Sequence, residues 1–159
     1  MTAKSMASAA AHSTNTSDLN NTRPVQSDRD CIGRMLQEDM AGELAQGNYV
    51  ICGGDCNHNL LVAEDETDAE SWAYPFPRSY LPEKMDFCLD LLDDAQRAAL
   101  APTTRNADIP HDPEQSLCLT VDGFIISDNI ELVDYSTVDT GFLWSDHNPV
   151  QLTFRLLDR

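Results

Sequence analysis

The chain is short of positive charge. Ten Lys and Arg residues stand against 27 Asp and Glu, a formal net charge of −17 over 159 residues. Proteins that grip a polynucleotide neutralise its phosphates with Lys and Arg. The balance here argues against a tight double-stranded DNA binder; a nucleic-acid partner would have to be held through a metal ion or another chain. Long apolar runs are also absent. None approaches the roughly 18 residues of a membrane span, and the N-terminus lacks the apolar h-region of a signal peptide. Cysteines are few and unframed: Cys31, Cys52, Cys56, Cys88 and Cys118 form an odd set without regular spacing. That speaks against a disulfide scaffold and for a reducing compartment, so a cytoplasmic location is expected. Cys52 and Cys56 are four apart but lack the second pair or nearby histidines of a zinc site. No loop has the Asp-x-Asp-x-Asp-Gly spacing of a calcium site. Most of the acidic excess therefore reads as solvated surface.

What is present is enough for one domain. Apolar residues make up 42%, and a chain of this length buries roughly 70% of its unfolded surface. Residues 1–26 are small and polar and read as a flexible tail, leaving 27–159 as the folded part. Ser27-x-x-Asp30 is a helix-opening pattern, followed by Ile32, Met35, Leu36, Met40 and Leu44 at helical spacing. Gly47-Asn48 ends the helix, and residues 49–52 form a buried strand ending at Gly53. This helix–strand unit points to an α/β layer. An acidic run, 63–70, leads into an aromatic, proline-rich loop, Trp72–Tyr80, expected to pack on the sheet or to line a substrate rim. Short helices are expected around Leu89–Leu92 and Ala95–Leu100. Residues 117–127 read as a strand interrupted by Asp122-Gly123, and Asn129–Val133 as a second. Asp134–Trp144 reads as a loop. In the last strand Val150, Leu152, Phe154 and Leu156 share one face.

Three segments carry candidate chemistry. Gly53-Gly54-Asp55-Cys56-Asn57-His58-Asn59 follows the first strand; alone it is a turn, since Gly, Asp and Asn suit turns for backbone reasons. Thr120-Val121-Asp122-Gly123-Phe124-Ile125-Ile126 puts a carboxylate within an apolar strand, where it is costly unless paired. Ser145-Asp146-His147-Asn148-Pro149-Val150 supplies a suitable partner, His147. Alone it is a polar turn closed by proline. Together the segments fit a hydrolytic crevice. Asp122 orients His147, Asp146 is a hard oxygen ligand suited to Mg²⁺, and Asp55 and Asn57, two apart on an extended segment, face the same crevice. Asp55 would orient a water and Asn57 would donate to a phosphoryl oxygen. His58, Asn59 and Arg105 read as exposed loop.

The three motifs, in this order and with the last near the C-terminus, resemble the endonuclease/exonuclease/phosphatase family of the deoxyribonuclease I-like fold. That family carries Gly-Asp-Phe-Asn, an Asp-led strand ending in Ser, and Ser-Asp-His-x-Pro-Val. Here these are Gly54-Asp55-Cys56-Asn57, Asp122–Ser127 and Ser145–Val150, with Cys56 replacing the usual Phe. The resemblance covers about residues 27–157. It implies an α/β (α+β) fold that forms the C-terminal half of a four-layer α/β sandwich, with the N-terminal half missing. It implies a divalent-metal-dependent phosphoesterase, a nuclease or phosphatase, using Mg²⁺ with Mn²⁺ as substitute. The implied roles are water activation for Asp55, phosphate binding for Asn57, phosphate contact or base for His147, tautomer control for Asp122, and the metal site for Asp146. His12, in Ala11-His12-Ser13, stands where the family has a second phosphate-binding histidine. The substrate would be a small phosphoester, a nucleotide, a nucleic acid or a lipid headgroup. The family's early Asn and its metal-binding Glu have no counterpart before residue 27. An alternative is therefore a catalytically weak or inactive truncated half-domain with a binding role or none. A half sandwich should leave Val50, Ile51, Ile125 and Ile126 partly exposed, or drive self-association through the uncovered sheet.

Overall fold

The computed structural model describes residues 4–7, 25–62 and 74–158. His12, Trp72 and the acidic run 63–70 lie outside the described residues. The fold is α+β and mostly strands. The strands are β1 (Lys4–Ala7), β2 (Val50–Asp55), β3 (Met85–Phe87), β4 (Thr104–Arg105), β5 (Cys118–Leu119), β6 (Asp122–Ser127), β7 (Ile130–Thr137) and β8 (Val150–Leu156). The helices are α1 (Val25–Ala45) and α2 (Asp94–Ala98), with 3-10 turns at Arg78–Tyr80 and Cys88–Leu91. A four-stranded sheet runs in the order β1-β2-β6-β3; β4–β5 and β7–β8 are separate antiparallel pairs. Among these pairings only β1–β2 is parallel. Lys4–Ala7 thus forms a strand beside β2, within the stretch expected to be a tail.

Local chemistry explains the main boundaries. α1 stops where Gly47 turns to φ +78° and Asn48 N–H bonds back to Glu43 O at 3.1 Å, a glycine-assisted helix end. Met40 is buried, with Leu36 and Leu44 packed beside it, one stripe at four-residue spacing. Met35, assigned to that stripe from the sequence, is 62% exposed instead. α2 opens with a capping box: Asp93 accepts from Gln96 N while the Gln96 side chain accepts from Asp93 N. The serine that closes β6 is structural. Ser127 Oγ accepts from Val50 N at 3.0 Å and donates to Asn129 Oδ1 at 2.6 Å, joining the end of β6 to the start of β2.

Several expectations need correcting. Asp122-Gly123 does not interrupt a strand; it starts β6, and the break falls at Thr120-Val121. β7 runs on to Thr137, past the expected end at Val133, because it has β8 to pair with. A register shift between Leu132 and Asp134 turns Val133 outward at 50% exposure. Val50, Ile125 and Ile126 are buried and Ile51 is half-buried, covered by α1 and by the segments that carry Leu60, Phe87 and Leu89. Among the described residues, exposed apolar side chains lie elsewhere: Trp144 and Leu143 are the most open, and Val133, Phe154 and Leu156 stand exposed on the β7–β8 pair. In the aromatic loop Phe76 is buried, edge-on to Phe87 at 4.9 Å and to His58 at 5.3 Å. His58 and Asn59 are accordingly buried, not exposed. Among the described residues, no helix is long and apolar enough to cross a membrane.

Candidate active site

β2 and β6 are antiparallel, and their register sets Asp55 directly opposite Asp122, Gly54 opposite Gly123 and Gly53 opposite Phe124. Side chains alternate along a strand, so Asp55, Asp122 and Phe124 emerge on one face. Two glycines are obligatory on β2. Gly54 has φ +141°, which L side chains rarely adopt. A Cβ on Gly53 would stand 2.3 Å from Phe124 Cδ1, so the ring lies directly over that glycine.

Asp122 is pinned from behind. The hydroxyl of Thr103, fully buried, accepts from Val121 N at 2.9 Å and Asp122 N at 3.0 Å. The same short segment holds the histidine loop. Asn148 N donates to Thr103 O at 2.8 Å, and Asn148 Nδ2 to Pro102 O at 2.9 Å. The Asn148 Oδ1 accepts from both N and Oγ1 of Thr140. Arg105 N and Thr104 Oγ1 each donate to Asp146 O at 3.1 Å. Residues 102–105 thus link the Asp122 strand to the Ser145–Asn148 loop.

The result is a direct contact. His147 Nδ1 lies 2.8 Å from Asp122 Oδ2. A carboxylate only accepts, so Nδ1 carries the proton. Nε2 then stands 3.3 Å from Thr104 Oγ1. The hydrogen bond that His147 donates to Asp122 holds the His147 pKa above its ordinary value; burial opposes this, and the charges of Asp122, Asp55 and Asp146 reinforce it. His147 is therefore an imidazolium over a wider pH range than a free histidine.

The other expected residues fall around this pair. Asp55 is the last residue of β2, and its Oδ1 accepts from Asn57 N at 2.7 Å. Extension stops there. Asn57 has φ +51° and is exposed, so strand alternation does not carry from Asp55 to Asn57 as the sequence reading assumed. Asp146 points its carboxylate to within 3.5 Å of Ser145 Oγ. Cys56 packs against the core. Burial, with the charges of Cys52, Asp55 and Asp122, raises its thiol to about 12, and burial raises Cys52 to about 11. Neither is a nucleophile at neutral pH. Arg105 is half-buried, with Nη1 bonded to Asn106 O and Ile109 O, not an exposed loop arginine.

A cleft of about 400 Å³ opens over the pair, with Asp122, Phe124, Ser145, His147, Pro149 and Val150 in its lining; Asp55, Asn57 and Asp146 are not part of that lining. Thr103, Thr104 and Asn148 were missed as supporting residues. The signal available was two adjacent threonines after Pro102. Among the described residues no three His, Cys, Asp or Glu side chains converge to hold an ion. Comparison with protein-family models finds no match to the chain, and comparison with curated proteins finds none.

Proposed function

We propose that the chain is a phosphoester hydrolase module, built as part of a deoxyribonuclease I-like sandwich. One observation carries the reading: His147 Nδ1 meets Asp122 Oδ2 at 2.8 Å, with Asp55 opposite Asp122 on the next strand. This is an acid–base group with its orienter, and a second carboxylate beside it. Water attacks phosphorus and loses a proton to Asp55. The P–O bond to the leaving group breaks, and His147 Nε2–H supplies the proton to the departing oxygen. Thr104 Oγ1 holds that nitrogen between turnovers. Asn57, two residues past the end of β2, contributes its amide to the phosphate when substrate is seated.

Dependence on Mg²⁺ or Mn²⁺ belongs to the proposal, with Asp146 as this chain's carboxylate for it. Mg²⁺ commonly takes one or two carboxylates and completes its shell with water and substrate phosphate. No step above is routed through the ion. The substrate class is a phosphoester, and the lack of cationic surface supports a small one over a polynucleotide. The unpaired thiols of Cys52, Cys56, Cys88 and Cys118 support a reducing, cytoplasmic location.

The test is hydrolysis of bis(para-nitrophenyl) phosphate by the purified chain in Mg²⁺ and in Mn²⁺. Slow turnover is expected, falling by about 10²–10⁴ in His147→Ala. Turnover that survives the change removes His147 from the mechanism. The second reading is a catalytically weak half-domain. It is favoured by the absence of a three-ligand metal cluster among the described residues, and an inactive wild-type chain would establish it.

A further inference from the structure

A second groove, of about 570 Å³, lies away from His147. Leu91, Leu92, Ala99 and Leu100 form one wall, and residues 132–137 of β7 form the other. Side chains alternate between the two faces of a strand, so a hollow over one face is lined by every second residue. Here six consecutive residues line it, and none of β8 does. The groove therefore follows the edge of β7 that β8 leaves unpaired. Among the described residues, no backbone group of 133–137 bonds to anything but β8. A strand edge in that state offers a row of unused N–H and C=O groups.

The wall facing that edge is apolar. Leu92 belongs to the core, while Leu91 is 49% exposed. Charge narrows what can lie between. No Lys or Arg lines the groove, and Asp134, which does, has no ion-pair partner among the described residues. Asp93 and Asp94 stand on the segment that carries the apolar wall. Arg97 and Arg155, the arginines of α2 and β8, are already committed to Asp94 and Glu131. The net charge of −17 gives the whole surface the same sign, which draws in cationic partners.

We propose that this groove takes an extended segment of a partner protein, in which apolar and basic residues alternate, and binds it as a further strand on β7. The apolar side chains lie against Leu92 and Leu100, the basic ones beside Asp134, and the backbone pairs with the open edge. The alternation matches β7 itself, where buried Tyr135 follows exposed Asp134. Six residues of edge offer roughly 20 Å of pairing. A second copy of this chain is a poorer occupant, because its β7 would bring Glu131 and Asp134 against like charges. The proposal is independent of the hydrolase reading.

The test is amide NMR of the full chain titrated with hexapeptides: alternating Val-Lys, alternating Val-Glu, alternating Ser-Lys, and Val-Lys N-methylated at every second residue in each of the two registers. The Val-Lys peptide should bind, with shifts gathered at residues 132–137 and 96–100. The Val-Glu and Ser-Lys peptides should bind at least about tenfold more weakly, as should at least one N-methylated form. Asp134→Lys and Leu91→Lys, both at exposed positions, should each weaken Val-Lys by about tenfold, with thermal melts establishing that they are folded. Added salt should weaken it too. No shifts at millimolar Val-Lys overturn the proposal. So do equal binding of Val-Glu, binding indifferent to both N-methylations, or shifts centred on Asp122 and His147. Shifts at 132–137 that appear on concentrating the chain alone would place a second copy in the groove and equally overturn it.

Discussion

Asp122 and His147, 25 residues apart in the chain, meet at 2.8 Å because Thr103 and Thr104 hold one each. The contact makes His147 a pH-dependent contributor to stability. Its folded pKa is raised, and the ordinary value is about 6.5. Its contribution is complete below that value and is lost as pH rises through the higher folded pKa. Asp122→Asn should lower the His147 pKa, followed by NMR of the ring protons, and flatten the stability profile above about pH 6.5. An unchanged titration would show that Asp122 does not set the charge of His147.

Thr103→Val tests the pin behind Asp122. The replacement matches in shape but strands two buried backbone N–H groups, at Val121 and Asp122. Each costs about 1–3 kcal/mol when unsatisfied, so denaturant unfolding should show a loss of about 2–6 kcal/mol. Thr103→Ser, which keeps the oxygen, should recover most of it.

Gly53 and Phe124 should be energetically coupled. Gly53→Ala drives a methyl into the ring at 2.3 Å, an overpacking cost of about 1–3 kcal/mol. In a Phe124→Ala background the same change should cost far less, since nothing occupies the space. A double-mutant cycle with no coupling would mean that the ring does not sit over that glycine.

Metal binding should be contingent on ligand. With no three-ligand cluster among the described residues, calorimetry of Mg²⁺ into the chain alone should show no saturable heat at millimolar concentration. Adding diphenyl phosphate should create or strengthen the signal, and Asp146→Asn should remove it. Tight Mg²⁺ binding by the free chain would contradict this donor count.

The pairing of Asp122 with His147 was legible because one rule demanded it: a carboxylate in an apolar strand must find a partner. The helix end at Gly47 and the last strand were legible from local chemistry alone. Thr103 was not. Its hydroxyl serves backbone groups 18 and 19 residues onward, and nothing in its neighbours announces them. His58 was misread for a similar reason. Its burial depends on Phe76, which arrives from a loop 18 residues later. The burial of Ile125 and Ile126 was misjudged because the covering side chains include Leu60, from an irregular segment, and Leu89, from a 3-10 turn, which carry no periodicity.

The β7–β8 pair has no further strand on either edge among the described residues, and Val133, Phe154 and Leu156 stand open to solvent on it. A charge of −17 keeps two such surfaces apart by repulsion whose reach is only about 8 Å at physiological ionic strength. Salt should therefore promote contact between copies, the reverse of its effect on an ion-paired interface. Sedimentation should show larger species as ionic strength rises, and Phe154→Glu should hold the chain monomeric. The acidic surface then has a colloidal role: it is the guard that an uncovered sheet requires.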